Sequence, residues 1–158
     1  MPTSMDAPCL EGRQMMQISR VWMVLAVMIL ALLGMQAQAD ERPAVADKVV
    51  AYAAEQGIKV WTLRIGERSE HKALVQIEGV DHDWDMRIQK MDVAKTSKDT
   101  RYSTEVDGQK FVTLLVQGNW GELYLPGEAQ PLHVRYDQYL SEQGNAQAFL
   151  TDYLNAKP

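Results

Sequence analysis

Apolar positions across residues 43–56 recur at steps of three and four. In PAVADKVVAYAAEQ, residues 43–56, Val45, Val49, Tyr52 and Ala53 fall on one face of a 3.6-residue period. Pro43 suits a first helical turn and Gly57 a helix end, so the pattern predicts an N-terminal amphipathic helix. From Lys59 the period drops to two. WTLRI sets Trp61, Leu63 and Ile65 on one side and Thr62 and Arg64 on the other, and ALVQI aligns Ala73, Val75 and Ile77. Residues 86–93 continue as a third strand whose alternation breaks. Met86 and Ile88 are out of phase with Met91 and Val93, which predicts a bulge near Gln89-Lys90.

RYSTEV-DG-QKFVTLLV is the clearest local pattern. Asp107-Gly108 is the dipeptide of a two-residue type I′ hairpin, and that turn sets Glu105 opposite Lys110 and Thr104 opposite Phe111. GELYL, residues 121–125, and LHVRY, residues 132–136, predict two further strands. Asn145 is placed as the N-cap of a closing helix whose stripe is Phe149, Leu150, Tyr153 and Leu154. Tyr136, Tyr139, Phe149 and Tyr153 are expected to join this C-terminal segment to the sheet. The fold class expected is α+β: a single domain, an antiparallel β-meander of about five to seven strands flanked by an N-terminal and a C-terminal helix.

Residues 1–39 carry a different pattern. Arg13 and Arg20 precede the apolar run Val21 to Gly34, and Ala37-Gln38-Ala39 supplies small residues for signal peptidase. The run is shorter than the about 20 residues of a spanning helix. A signal peptide over 1–39, cleaved after Ala39, and one mature domain over 40–158 are therefore expected. Cys9, the only cysteine, lies in the leader, so the mature chain has no thiol. That excludes thiol–disulfide exchange, cysteine nucleophiles, zinc fingers and iron–sulfur clusters. The formal net charge is −5, and the leader holds two charges of each sign, so the mature chain keeps it. An acidic chain without a basic segment argues against nucleic acid. The export signal and the absence of a glycosylation sequon point to a bacterial periplasm.

Candidate chemistry centres on GVDHDWDMRI, residues 79–88. Asp81, Asp83, Asp85 and Asp92 occupy positions 1, 3, 5 and 12 of a calcium loop, but Met86 stands where the required glycine would be. They remain the only metal candidates. A transition-metal site would need His82 with His71 or His133, which no short spacing joins. Paired carboxylates could also serve acid–base hydrolysis. The expected reading is a turn, where Asp side chains cap backbone groups, Trp84 covers the sheet edge and the carboxylates keep that edge unpaired. Trp120, between Asn119 and Gly121, is a candidate exposed anchor.

The sequence is thus expected to encode a periplasmic binding protein without catalysis or cofactor. It would engage or inhibit another exported protein through Trp120, Trp84, Asp81, Asp83 and Asp85. A carrier of a small ligand or cell-wall fragment held between sheet and helix is the second expectation, and a metal-assisted hydrolase the third. Export is checked directly: bulky residues at Ala37 and Ala39 should leave an uncut, membrane-held precursor on immunoblots. Normal yield of a chain starting at Asp40 would place the boundary elsewhere.

Overall fold

The computed structural model describes residues 42–156. The leader, its cleavage site and Cys9 lie outside the described residues. Eight antiparallel strands follow one another around a closed barrel: β1 (Val50–Ala53), β2 (Lys59–Ile65), β3 (Lys72–Glu78), β4 (Ile88–Lys95), β5 (Thr100–Val106), β6 (Gln109–Gln117), β7 (Trp120–Leu123) and β8 (Leu132–Tyr136). Two helices end the chain, α1 (Gln138–Gln143) and α2 (Ala146–Ala156). This corrects the expected α+β meander flanked by two helices. The sheet closes on itself, and no helix precedes it among the described residues.

The N-terminal segment explains the misreading. Val50, Tyr52 and Ala54 face the barrel core, while Val49 belongs to a second cluster on the outside and Ala51 is fully buried beneath α1. A strand buried on both faces loses its polar alternation, so small and branched apolar residues imitate a helical stripe. Tertiary pairing to β2 and β8 then decides for strand.

The barrel interior is filled by Tyr52, Val60, Val75, Ile77, Met91, Leu114, Leu123 and Val134, with other side chains around them. An eight-stranded barrel is just wide enough for side chains to fill it. The second cluster lies where α2 covers the outer face. There Leu63, Ile65 and Leu74 meet Phe149, Leu150 and Tyr153. Trp61, Leu63 and Ile65 do share one side of β2, as their alternation implies, but that side faces α2 instead of the barrel core. Where no helix lies, on β5 to β8, outward positions include Arg101, Glu105, Lys110, Glu122, His133 and Arg135. An apolar inside and a charged outside invert the pattern of a lipid-facing barrel.

Several local expectations match the structure. Asp107 and Gly108 both have positive φ (51° and 73°), and Glu105 pairs with Lys110 and Thr104 with Phe111. The Asn145 Oδ1 accepts hydrogen bonds from the Gln147 and Ala148 amides, capping α2. The bulge is elsewhere. β4 runs in register against β3 through Ile88 to Asp92, and Met86 lies before it in the loop with φ 60°. Ile88 points out beneath α2 and Met91 into the barrel, so both faces are apolar without an inserted residue. The irregularity falls on β6, where Tyr102 faces Leu114 but Ser103 faces Val112, leaving Thr113 as the extra residue.

A Cβ at Gly108 would meet nothing within 4 Å, so substitution there tests backbone conformation alone. Gly108→Val should lower stability by about 1–2 kcal/mol, because a β-branched residue is poorly accommodated at positive φ. Chemical denaturation reads this as a lower midpoint at unchanged slope. An unchanged midpoint would contradict the type I′ turn.

Candidate functional site

Successive hairpins of a meander point to alternate ends of the barrel, and this separates the residues singled out from the sequence. The β3–β4 loop, residues 79–87, sits at the same end as the Asp107-Gly108 turn and the β7–β8 loop. Trp120 starts β7 at the opposite end. Trp84 with the aspartates and Trp120 therefore do not form one surface.

At the first end the loop folds back as a plug. Asp85 Oδ1 accepts hydrogen bonds from the amides of Gly79 (2.8 Å) and Val80 (3.2 Å), and a bridge pairs Asp85 with Ile77. His82 Nδ1 accepts from the Trp84 amide (3.0 Å). The other ring nitrogen, Nε2, therefore carries the hydrogen and donates to the Pro126 carbonyl at 3.0 Å. Trp84 packs on the interior cluster and meets the His82 and Phe111 rings edge-on, at centroid distances of 5.6 and 6.0 Å. Each residue thus has an architectural partner. Asp81 and Asp83 alone of the three loop carboxylates are exposed to solvent.

The proposed fourth metal ligand is remote from these three. Asp92 lies on the outer face of β4, paired with Lys72, whose ammonium holds the Asp92 carboxyl below the ordinary carboxylate range. His71 closes the turn before β3 at the other end, and His133 lies on the outer side of β8. Among the described residues no group of three or more His, Cys, Asp or Glu side chains could hold a metal ion.

The opposite end is aromatic. Trp120 is 46% exposed, on the outer face between its cross-strand neighbours Gln117 and Arg135. Tyr136 ends β8, is 39% exposed, and donates its amide hydrogen to the Asn119 carbonyl (2.8 Å). Its ring meets Tyr52 edge-on at 6.3 Å. Tyr139, in the first turn of α1, is 71% exposed. Tyr139 and Tyr136 were expected to bind the C-terminal segment to the sheet. Instead Phe149 and Tyr153 do so, Tyr136 meets the sheet through Tyr52, and Tyr136 and Tyr139 stay exposed towards the end where Trp120 starts β7. One signal in the sequence could have separated them. Asp137 caps α1, its Oδ1 accepting from the Leu140 amide (2.9 Å), and a cap there ends β8 at Tyr136 and starts a new helix facing outward.

Behind the rim, phenols line the barrel. Burial pushes the Tyr52 hydroxyl well above its ordinary value, with the Tyr102 and Tyr136 phenols adding to the shift. Burial also raises Tyr102, opposed by the Thr62 hydroxyl beside it. On the outer face, Tyr124 donates to Glu122 (2.5 Å), and that bond raises the Tyr124 phenol. Neutral, hydrogen-bonding tyrosines can orient or pack a ligand but are poor bases at neutral pH.

The loop carboxylates divide by their bonds, and so should their substitutions. Asp85→Ala should destabilise the protein by about 1–3 kcal/mol, since two backbone amides lose their acceptor. Asp81→Asn and Asp83→Asn should shift stability by less than about 0.5 kcal/mol. Thermal unfolding followed by Trp fluorescence distinguishes them. Equal effects from all three would mean that Asp85 is not the loop's anchor.

No family model matches the chain, and no curated protein or solved structure matches it, so the functional reading rests on these residues and their geometry alone.

Proposed function

We propose that this chain is a small periplasmic binding module that engages or restrains another exported protein, using the rim of Trp120, Tyr136 and Tyr139. The observation that carries this is the exposure of those three large rings at one end of the barrel. Large aromatic rings held on a rigid scaffold are the usual anchors of protein interfaces, because they bury much area at little entropic cost. Arg135, the cross-strand neighbour of Trp120, adds a donor of the kind enriched at such anchors.

Two other readings have less to support them. A carrier needs a cavity between sheet and helix or within the barrel. Leu63, Leu74, Phe149 and Leu150 occupy the first space, and the interior cluster occupies the second. A groove of about 540 Å³ lies outside both, between Val45–Asp47 and the α1–α2 junction. A metal-assisted hydrolase needs converging ligands; among the described residues Asp85 is bonded to the loop backbone and Asp92 lies apart on β4, which leaves only Asp81 and Asp83 exposed in the loop.

Capture from envelope extract at low salt tests the proposal. The wild-type protein should retain an exported partner, the Asp81→Asn/Asp83→Asn variant should retain it too, and Trp120→Ala/Tyr139→Ala should weaken capture by about 30-fold or more, the effect of losing an interface anchor. Undiminished capture by the aromatic variant, or no partner at all, would refute it.

A further inference from the structure

We propose that the β1–β8 seam is a built-in opening point of the barrel and that α1 is its latch. The ladder that closes the barrel contains two residue pairs, Tyr52↔Tyr136 and Ala53↔Arg135, against seven for β2–β3 and seven for β5–β6. Closure therefore rests on the shortest ladder in the sheet.

The alternation of peptide groups shows what crosses the seam. The Ala51 amide donates to Ser141 Oγ (2.8 Å), and the Ala51 carbonyl accepts from the Asp137 amide (2.9 Å). Both groups of Ala51 thus point away from β2. Two residues on, Ala53 points the same way and is the residue that exchanges hydrogen bonds with Arg135. Four amides span the seam: those of Ala51, Ala53, Arg135 and Asp137. Two of the four bonds are made with the α1 segment and not with β8.

That segment has little else to hold it. α1 is six residues long with no buried residue, too short to persist alone. Its order comes from the Asp137 cap, from Ser141 Oγ donating to the Asp137 carbonyl (2.7 Å), and from the seam bond itself. α2 is anchored independently by Phe149, Leu150 and Tyr153. The weak contact is therefore the one that joins β1 to the end of β8 and to α1, and the rest of the barrel and α2 can stay in place when it parts. Opening uncovers Tyr52, which is 6% exposed when the seam is shut. Tyr136 closes the ladder just before the latch and Tyr139 lies in its first turn, so a partner at the rim would act on the seam directly; only this last step rests on the binding reading.

Hydrogen exchange of the purified protein resolved by residue tests the seam. The four amides should exchange with one common opening constant, faster than the β2–β3 ladder. Ser141→Ala should speed all four by roughly five-fold, the loss of one hydrogen bond, and leave β2–β3 unchanged, while Ser141→Thr should restore the wild-type rate. A Tyr52→Cys/Tyr136→Cys variant, compared oxidised and reduced, supplies a second measurement on one composition. The facing residues of a non-hydrogen-bonded pair lie within disulfide reach, so oxidation should slow the four amides towards the β2–β3 rate. Four unrelated rates, rates equal to β2–β3 in the wild type, or indifference to both Ser141→Ala and oxidation would overturn the proposal. Should the rim variants bind as the wild type while the four amides open together, the seam stands and the binding reading falls.

Discussion

Closure of the sheet is the constraint on which the rest of this protein depends. Eight strands must meet at a first strand of four residues, and that strand finds only two partners on β8. The chain makes up the deficit from its far end. Ser141 and the Asp137 amide satisfy the Ala51 peptide group that β8 does not reach. An unsatisfied buried amide or carbonyl costs more than a hydrogen bond gains, so the C-terminal turn is required by the barrel and is not an appendage to it. Gly144 follows from the same constraint. A Cβ there would lie 2.7 Å from the Val49 Cβ, so the joint between the two helices can sit against the start of β1 only without a side chain.

Once closed, the barrel gives its two ends different chemistry. One end is plugged by its own loop, with Asp85, His82 and Trp84 consumed in holding it. The other keeps three large rings exposed to water. Burial of a polar side chain is tolerated only with a partner, and the partners at the plugged end are all internal. At the plugged end Asp81 and Asp83 stay exposed, whereas Asp85 accepts from two backbone amides. Asp92, on the outer face of β4, pairs with Lys72 across the strands.

The rim and the seam share residues. Tyr136 belongs to both, as the last residue of β8 and as the neighbour of Tyr52 across the closing ladder. A partner bound at the rim, as proposed, would therefore sit beside the closing ladder. A contact that holds Tyr136 and α1 in place favours the shut barrel, and one that draws them away favours the open form, in proportion to the difference in affinity for the two.

Local geometry was legible in the sequence wherever it depended on neighbours in the chain. The Asp107-Gly108 turn and its register follow from a dipeptide that tolerates positive φ, the Asn145 cap from a side chain that reaches the next turn, and β2 and β8 from period-two alternation. What escaped was whatever depended on two distant segments meeting. Residues 50–53 read as helix because both faces are buried, one by the barrel and one by α1, and sequence periodicity registers burial without saying how many surfaces supply it. Met86 and Ile88 seemed to share a face with a fault after them, when one lies in a loop and the other beneath α2. The aspartates at alternate positions read as a turn whose side chains cap backbone groups, as Asp85 does, but the pairing of Asp92 with Lys72 was decided by strand register. Beside a glycine and an asparagine, Trp120 could be read either as an exposed anchor or as cover for the sheet rim, and the structure decided for exposure. That Tyr136 and Tyr139 stand with it was decided only by closure, which brings the end of β8 and the start of α1 to the end of the barrel where β7 begins.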